Sequence, residues 1–292
     1  MISSKRVFIP LGLAAAVATI GACTTGQAVA QSEEPPIGAI STVSAGTDIV
    51  LPLDAYLLTA PEHKTLYAAV LVIGRDCMKR FGLSWPANQP AADSEASRND
   101  RRYAIIEPGK AKTVGYHPPE TAARQAARQE PTAAAMNVWA GQGEQTFGGK
   151  PVPAGGCAGE AIRELAQGAP KADPGLPEKL QLETYARTKA DSRVVRVFAE
   201  WSKCMQAKGY SYPDPYAASG DQRWQTAKAG PTEIAVATAD VACKSETKVP
   251  GLMLAVETAY QNRAAEQHAD ELTAIKSHLE TELANAGKAA RG

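Results

Sequence analysis

Apolar residues recur at helical spacing in three long stretches of this chain. Leu66, Val70, Ile73 and Cys77 fall at i, i+4, i+7 and i+11, and Val194, Phe198, Trp201 and Met205 repeat that spacing. Further on, Val256, Tyr260, Ala264, Leu272, Ile275, Leu279 and Leu283 make a third stripe. The spacing predicts helices over Pro61–Phe81, Glu178–Lys208 and Gly251–Ala286, with a shorter helical stretch at Glu160–Gln167. Between them lies a long loop from Gly82 to Gly156, with weak helical patches at Thr121–Gln129 and Thr132–Gly141, and a Gly/Pro separator at Gly168–Pro177. The second and third helices, at 1.5 Å rise per residue, would each be roughly 45 to 50 Å long and would need a partner for their stripes, most simply each other as an antiparallel pair. The expected fold is therefore mainly α. It comprises two helix-loop-helix units, residues 48–170 and 171–292, the first with a long irregular loop and the second with two long antiparallel helices.

The N-terminal pattern is of another kind. Lys5 and Arg6 precede an apolar, Ala/Gly-rich run from Val7 to Ala22 that is short for a membrane-spanning helix and reads as a signal peptide, residues 1–22. Two cleavage sites compete. Ile20-Gly21-Ala22-Cys23 resembles a bacterial lipobox, which would make Cys23 the lipidated residue and residues 23–47 a flexible tether, whereas Ala28-Val29-Ala30 resembles an ordinary A-x-A site and would give a secreted protein.

Four further cysteines, Cys77, Cys157, Cys204 and Cys243, fit an oxidising compartment and allow three pairings. An internal repeat chooses among them. Cys77-Met78 and Cys204-Met205 both open the pattern C-M-x-x-x-G-(L/Y)-S-(W/Y)-P, running to Pro86 and Pro213, with the Cys in a last helical turn and Gly82 or Gly209 placed as a C-cap. Each copy is followed by a loop and a second Cys ahead of another helical stretch. If each bond pins the start of one helix to the end of the one before, the pairs are Cys77 with Cys157 and Cys204 with Cys243.

The second copy, Cys204-Met205 followed by Gly209-Tyr210-x-Tyr212-Pro213-Asp214-Pro215 with Ala242-Cys243 downstream, resembles a pattern of actinobacterial exported lipoproteins. Pro151–Ala161 and the tetrapeptide Gly115-Tyr116-His117-Pro118 resemble segments of such proteins as well. The resemblance runs from about Leu57 to Lys244 and implies an extracytoplasmic location, anchored to the outer face of the cell membrane, together with disulfides. It supplies no catalytic residues. The first copy departs from it, having Ala87-Asn88 where the second has Asp214-Pro215.

Charge and chemistry narrow the function classes. Basic and acidic side chains balance at 31 each, so no global field draws nucleic acid or an anionic surface. With only 4 Phe, the core must be built from Ala, Val, Leu and a few Trp and Tyr. The chain contains no nucleophile elbow, zinc-protease helix, Walker loop, dinucleotide fingerprint or zinc-spaced Cys/His set, so neither a metal nor another cofactor is expected and the catalytic residues stay unknown. His268 with Glu271 reads as a solvated helix face, and His117 with Glu120 is the one His near other polar candidates.

The candidate ligand surface is the loop set Trp85, Tyr210, Tyr212, Asp214, Tyr216 and Trp224, suited to stacking on a sugar or peptide if exposed. The other reading has Trp85 and Tyr212 folding back on their own helices. The function expected is a non-catalytic envelope lipoprotein, held to the membrane by its lipid and binding a protein partner or a cell-wall component, or serving as accessory to a neighbouring transporter or enzyme. The alternative is a cell-wall-directed hydrolase using Glu107, Glu120 or Asp214.

Overall fold

The first helix starts where the sequence supplies a cap. In the computed structural model, which describes residues 34–86, 98–118 and 130–289, the Glu62 carboxylate accepts from the Thr59 backbone N–H at 2.7 Å and the Thr59 hydroxyl accepts from that of Glu62. This capping box opens α1, Ala60–Arg80. Then come α2 (Pro108–Val114), α3 (Ala133–Ala140) and a two-stranded hairpin, β1 (Thr146–Phe147) and β2 (Lys150–Pro151), turning on Gly148 and Gly149, both at positive φ. The remaining helices are α4 (Gly156–Leu165), α5 (Leu176–Ala190), α6 (Ser192–Ala207), α7 (Pro215–Ser219), α8 (Pro231–Thr247), α9 (Val249–Gln267) and α10 (Ala269–Ala289). The fold is mainly helical and closed by two disulfides, Cys77–Cys157 and Cys204–Cys243, with Cα–Cα distances of 5.5 and 5.7 Å. They close loops of 80 and 39 residues, each closure stabilising by roughly 4 kcal/mol in the chain-entropy model.

The repeated motif is a helix ending. After α1 the Leu83 N–H donates to Met78 O at 3.1 Å and the Gly82 N–H to Lys79 O at 3.0 Å. After α6 the Tyr210 N–H donates to Met205 O at 3.0 Å and the Gly209 N–H to Gln206 O at 2.9 Å. Both are Schellman caps, with Gly82 at φ +66° and Gly209 at φ +87°, where a side chain would be strained. Met78 and Met205 are fully buried, and Leu83 and Tyr210 pack into the same clusters as their Met. The motif thus combines a cap, its apolar clasp and a covalent staple.

The long helices differ from the periodicity. The stretch expected as one helix over Glu178–Lys208 is two, because the Asp191 carboxylate caps a new start by accepting from the Arg193 N–H at 2.9 Å. The expected helix from Gly251 ends at Gln267, and α10 begins anew at Ala269. Nor do α9 and α10 form one arm of a hairpin. α9 packs on α5 and α6, whereas α10 lays Leu272 and Ile275 on Leu53 and Leu180 and carries Ala286 onto Ala69 and Leu165, covering α1 and α4. Cys243 lies inside α8, a helix where the apolar pattern indicated a loop.

Residues from Pro35 onward form one compact unit. Part of the segment expected as a flexible tether lies on the body: Ile37 and Val43 pack against the main core, the Arg193 guanidinium donates to Pro35 O at 2.9 Å, and Gly251 sits where a Cβ would meet Ser41 O at 2.1 Å. The leader, Cys23, Glu120 and the patch at Thr121–Gln129 lie outside the described residues.

Gly74 shows how tightly the first disulfide region is packed. Trp139 stacks on Trp85 with ring centroids 4.2 Å apart, and a Cβ on Gly74 would stand 2.6 Å from the Trp139 ring. Alanine normally favours a helix over glycine by up to about 1 kcal/mol. Gly74→Ala should instead lower stability in guanidinium melts, while Gly109→Ala in α2, where nothing lies within 4 Å, should be neutral or stabilising. Equal effects at the two positions would show that Trp139 yields freely.

Candidate functional site

Helix α8 buries charge. Glu233, Asp240 and Lys244, at i, i+7 and i+11 on one face, are 2%, 0% and 1% exposed. They are made tolerable by a strap, residues 98–118, that runs across α8 and α9 and supplies partners from its own backbone and side chains. Asp240 accepts from the Lys244 ammonium at 2.9 Å, the Tyr116 hydroxyl at 3.1 Å and the Trp201 indole N–H at 3.0 Å, and Lys244 also donates to Ile105 O at 2.9 Å. Burial pushes the Asp240 carboxyl up, and Lys244, Tyr116 and Trp201 pull it back. Burial foremost, and then the neighbouring Asp240 carboxylate, raises the Tyr116 phenol.

A second polar seam joins the strap to α9. The Glu257 carboxylate is fully buried and accepts from the Arg102 guanidinium, from the Tyr103 hydroxyl at 3.0 Å and from Gln261 at 3.1 Å. Gln261 in turn accepts from the Leu53 N–H at 3.0 Å, and Asp54 accepts from Gln181 at 2.9 Å and Asn99 at 2.7 Å. The strap, α5, α9 and the turn at Pro52–Tyr56 are thereby cross-linked through side chains whose donors and acceptors match.

The strap ends at a cleft of about 240 Å³ lined by Tyr116, His117, Pro118, Asp221, Trp224 and Gln225, among others. One lining residue is Trp224, whose N–H donates to Ala218 O at 2.8 Å and whose ring centroid lies 6.2 Å from that of Tyr116. Arg223 covers the ring at 4.8 Å and pairs with Asp221, holding that carboxyl well below the usual range. His117 sits at the edge, Nδ1 2.8 Å from Glu233 Oε1 and Nε2 2.8 Å from Thr226 O.

The structure distributes the aromatic candidates. Trp85 stacks on Trp139 beside the first disulfide, away from the others. Tyr210, Tyr212 and Tyr216 are half-buried against the main core, Tyr212 donating to Asp221 at 2.9 Å and Tyr216 meeting Tyr185 and Phe198 edge-on. Trp224 is 9% exposed. The Asp214 carboxylate caps α7, accepting from the Tyr216 and Ala217 N–H groups at 2.8 and 2.9 Å. Of the six, Tyr212 and Trp224 come together at Asp221 and Arg223. Glu107 pairs with Lys110 at 2.5 Å, and His268 with Glu271 is a surface contact. Among the described residues no three His, Cys, Asp or Glu side chains converge as metal ligands.

Comparison with known proteins finds no family model, curated protein or solved structure that matches this chain. Its site is therefore read from geometry alone. Sequence reasoning missed Arg102, Glu233, Asp240, Lys244 and Glu257. Their signal is a charged residue standing where an apolar stripe should continue, as in Glu233, Val236, Ala237, Asp240, Val241, Lys244.

Removing one member of the buried pair should be costly. Lys244→Met is expected to lose about 3–5 kcal/mol in chemical denaturation, because Asp240 is left charged without its cation. Adding Asp240→Asn should recover part of that loss, and strictly additive losses would show the two uncoupled. In Lys244→Met the folded Asp240 carboxyl lies still higher, so the penalty should be full at neutral pH and shrink as pH falls and Asp240 protonates.

Proposed function

We propose that this chain is a non-catalytic cell-envelope lipoprotein, anchored on the outer face of the membrane through Cys23, that binds a partner protein or a cell-wall component. What supports the reading is how the polar groups are used: Asp214 caps α7, Glu107 pairs with Lys110, and both ring nitrogens of His117 are engaged. A hydrolase needs two carboxylates, or a base and a nucleophile, facing a common space. The two disulfides are consistent with an oxidising compartment outside the cytosol. Among the described residues no helix is long and apolar enough to cross a membrane. The likeness to actinobacterial exported lipoproteins belongs to the same reading.

The binding surface under this proposal is the cleft at Tyr116, His117, Asp221 and Trp224, whose lining combines aromatic and polar side chains. Fractionation tests the anchor: Cys23→Ala should move the protein from the membrane fraction into the medium, because a diacyl modification supplies the two chains that stable anchoring needs. Unchanged membrane association would overturn the lipoprotein reading. Soluble cell-wall fragments that quench indole fluorescence in the wild type and fail to in Trp224→Phe would support the cleft.

A further inference from the structure

The loop beyond α7 meets the strap beside the cleft at His117, and near Ala229, which an added Cβ on Gly115 would meet at 3.1 Å. Asp221, Trp224 and Gln225 line the cleft from this loop, and Tyr116 and His117 line it from the strap. Between the two stands His117, with Nδ1 facing the Glu233 carboxylate and Nε2 facing the Thr226 carbonyl, each at 2.8 Å. Both facing groups are acceptors only. A neutral imidazole carries one N–H and can satisfy one of them, whereas the imidazolium carries two and satisfies both. We propose that His117 is a protonation-dependent latch that holds the Gln225–Gly230 segment against the strap beside the cleft as imidazolium and releases it when the ring loses its proton.

The surroundings support this direction. The Thr226 carbonyl first and the Glu233 carboxylate next raise the His117 pKa above its ordinary 6.5, while burial and Arg101 oppose them. Glu233 is almost fully buried, and its Oε1 also accepts from the Tyr116 N–H at 2.7 Å, while its Oε2 has no partner. The carboxylate therefore has a strong need of the imidazolium beside it. Other charges facing the ring are Arg101 on the strap, which donates to the Tyr116 and His117 carbonyls at 2.5 and 3.3 Å, and Asp221 across the cleft, neutralised by Arg223.

The sign follows from linkage. A His pKa raised by folding contributes stability that is complete below the unfolded value near 6.5 and is lost as pH rises through the folded value. The latch is thus closed in mildly acidic medium and opens as the medium turns alkaline. Thr226 Oγ bonds Lys228 O at 2.8 Å within the loop, so the tip would move as a preformed turn.

Hydrogen exchange followed by mass spectrometry on the full chain tests the latch, with exchange times scaled for the intrinsic rate. Between about pH 6 and about pH 9, peptides covering residues 225–230 should lose protection as the ring gives up its proton. Peptides from α6 should keep theirs. His117→Asn, which cannot bridge both acceptors as a cation, should show the open loop at both pH values. Should that variant fail to fold, the wild-type His117 ring titrated by NMR should share its midpoint with the loop resonances. Protection of residues 225–230 that does not change with pH, or a His117 titration that the loop does not follow, would overturn the proposal. Neither result depends on what the cleft binds.

Discussion

The Asp240 carboxylate is the point on which the interior turns. It is fully buried, and it ties α6 through Trp201, the strap through Tyr116, and its own helix through Lys244, which reaches on to the strap at Ile105 O. A charge in that position is stabilising only if all these donors arrive together, since an unpaired buried carboxylate would be destabilising by several kcal/mol. The position of the strap, and with it the placement of Tyr103, Tyr116 and His117, follows from that requirement. Glu257 imposes the same condition on α9 through Arg102, Tyr103 and Gln261. An apolar core of small side chains, with a buried Trp201 and few Phe, would pack in many similar ways. Matched polar partners of fixed geometry single out one of them.

The covalent staples act at a different level. Each disulfide stands at the end of a helix closed by a Schellman cap, and each cap buries its Met. The motif most conspicuous along the chain is therefore devoted to stopping a helix and holding its end. In the first copy the Arg75 guanidinium donates to Pro86 O at 3.0 Å, and in the second the Ser202 hydroxyl donates to Tyr212 O at 2.6 Å, so the position two residues before each Cys secures the returning segment. Function, under the reading proposed, falls to the segments these endings position: the strap and the loop after α7, which meet at the cleft.

α1, the helix endings after α1 and α6 and both disulfides were legible in the sequence because they depend on neighbours along the chain. Thr59 and Glu62 form a cap three residues apart, Gly82 and Gly209 end helices by their own backbone freedom, and the repeat places each Cys relative to a helix end. The break at Asp191 was also local, an Asp placed to cap a new start, though the apolar spacing runs across it and conceals it. Tertiary structure alone decided the rest. Helix α8 carries Glu233, Asp240 and Lys244 on its inner face, so its pattern reads as polar until partners far away in the chain neutralise it: Tyr116 lies 124 residues from Asp240, and His117 lies 116 from Glu233. The course of α10 over α1 and α4 depends on which apolar surface was left uncovered, a property of the assembled helices. Short-range steric and capping preferences are written in adjacent residues, whereas the stability of a buried charge is a property of the whole surrounding volume and takes its value only once the chain has closed around it.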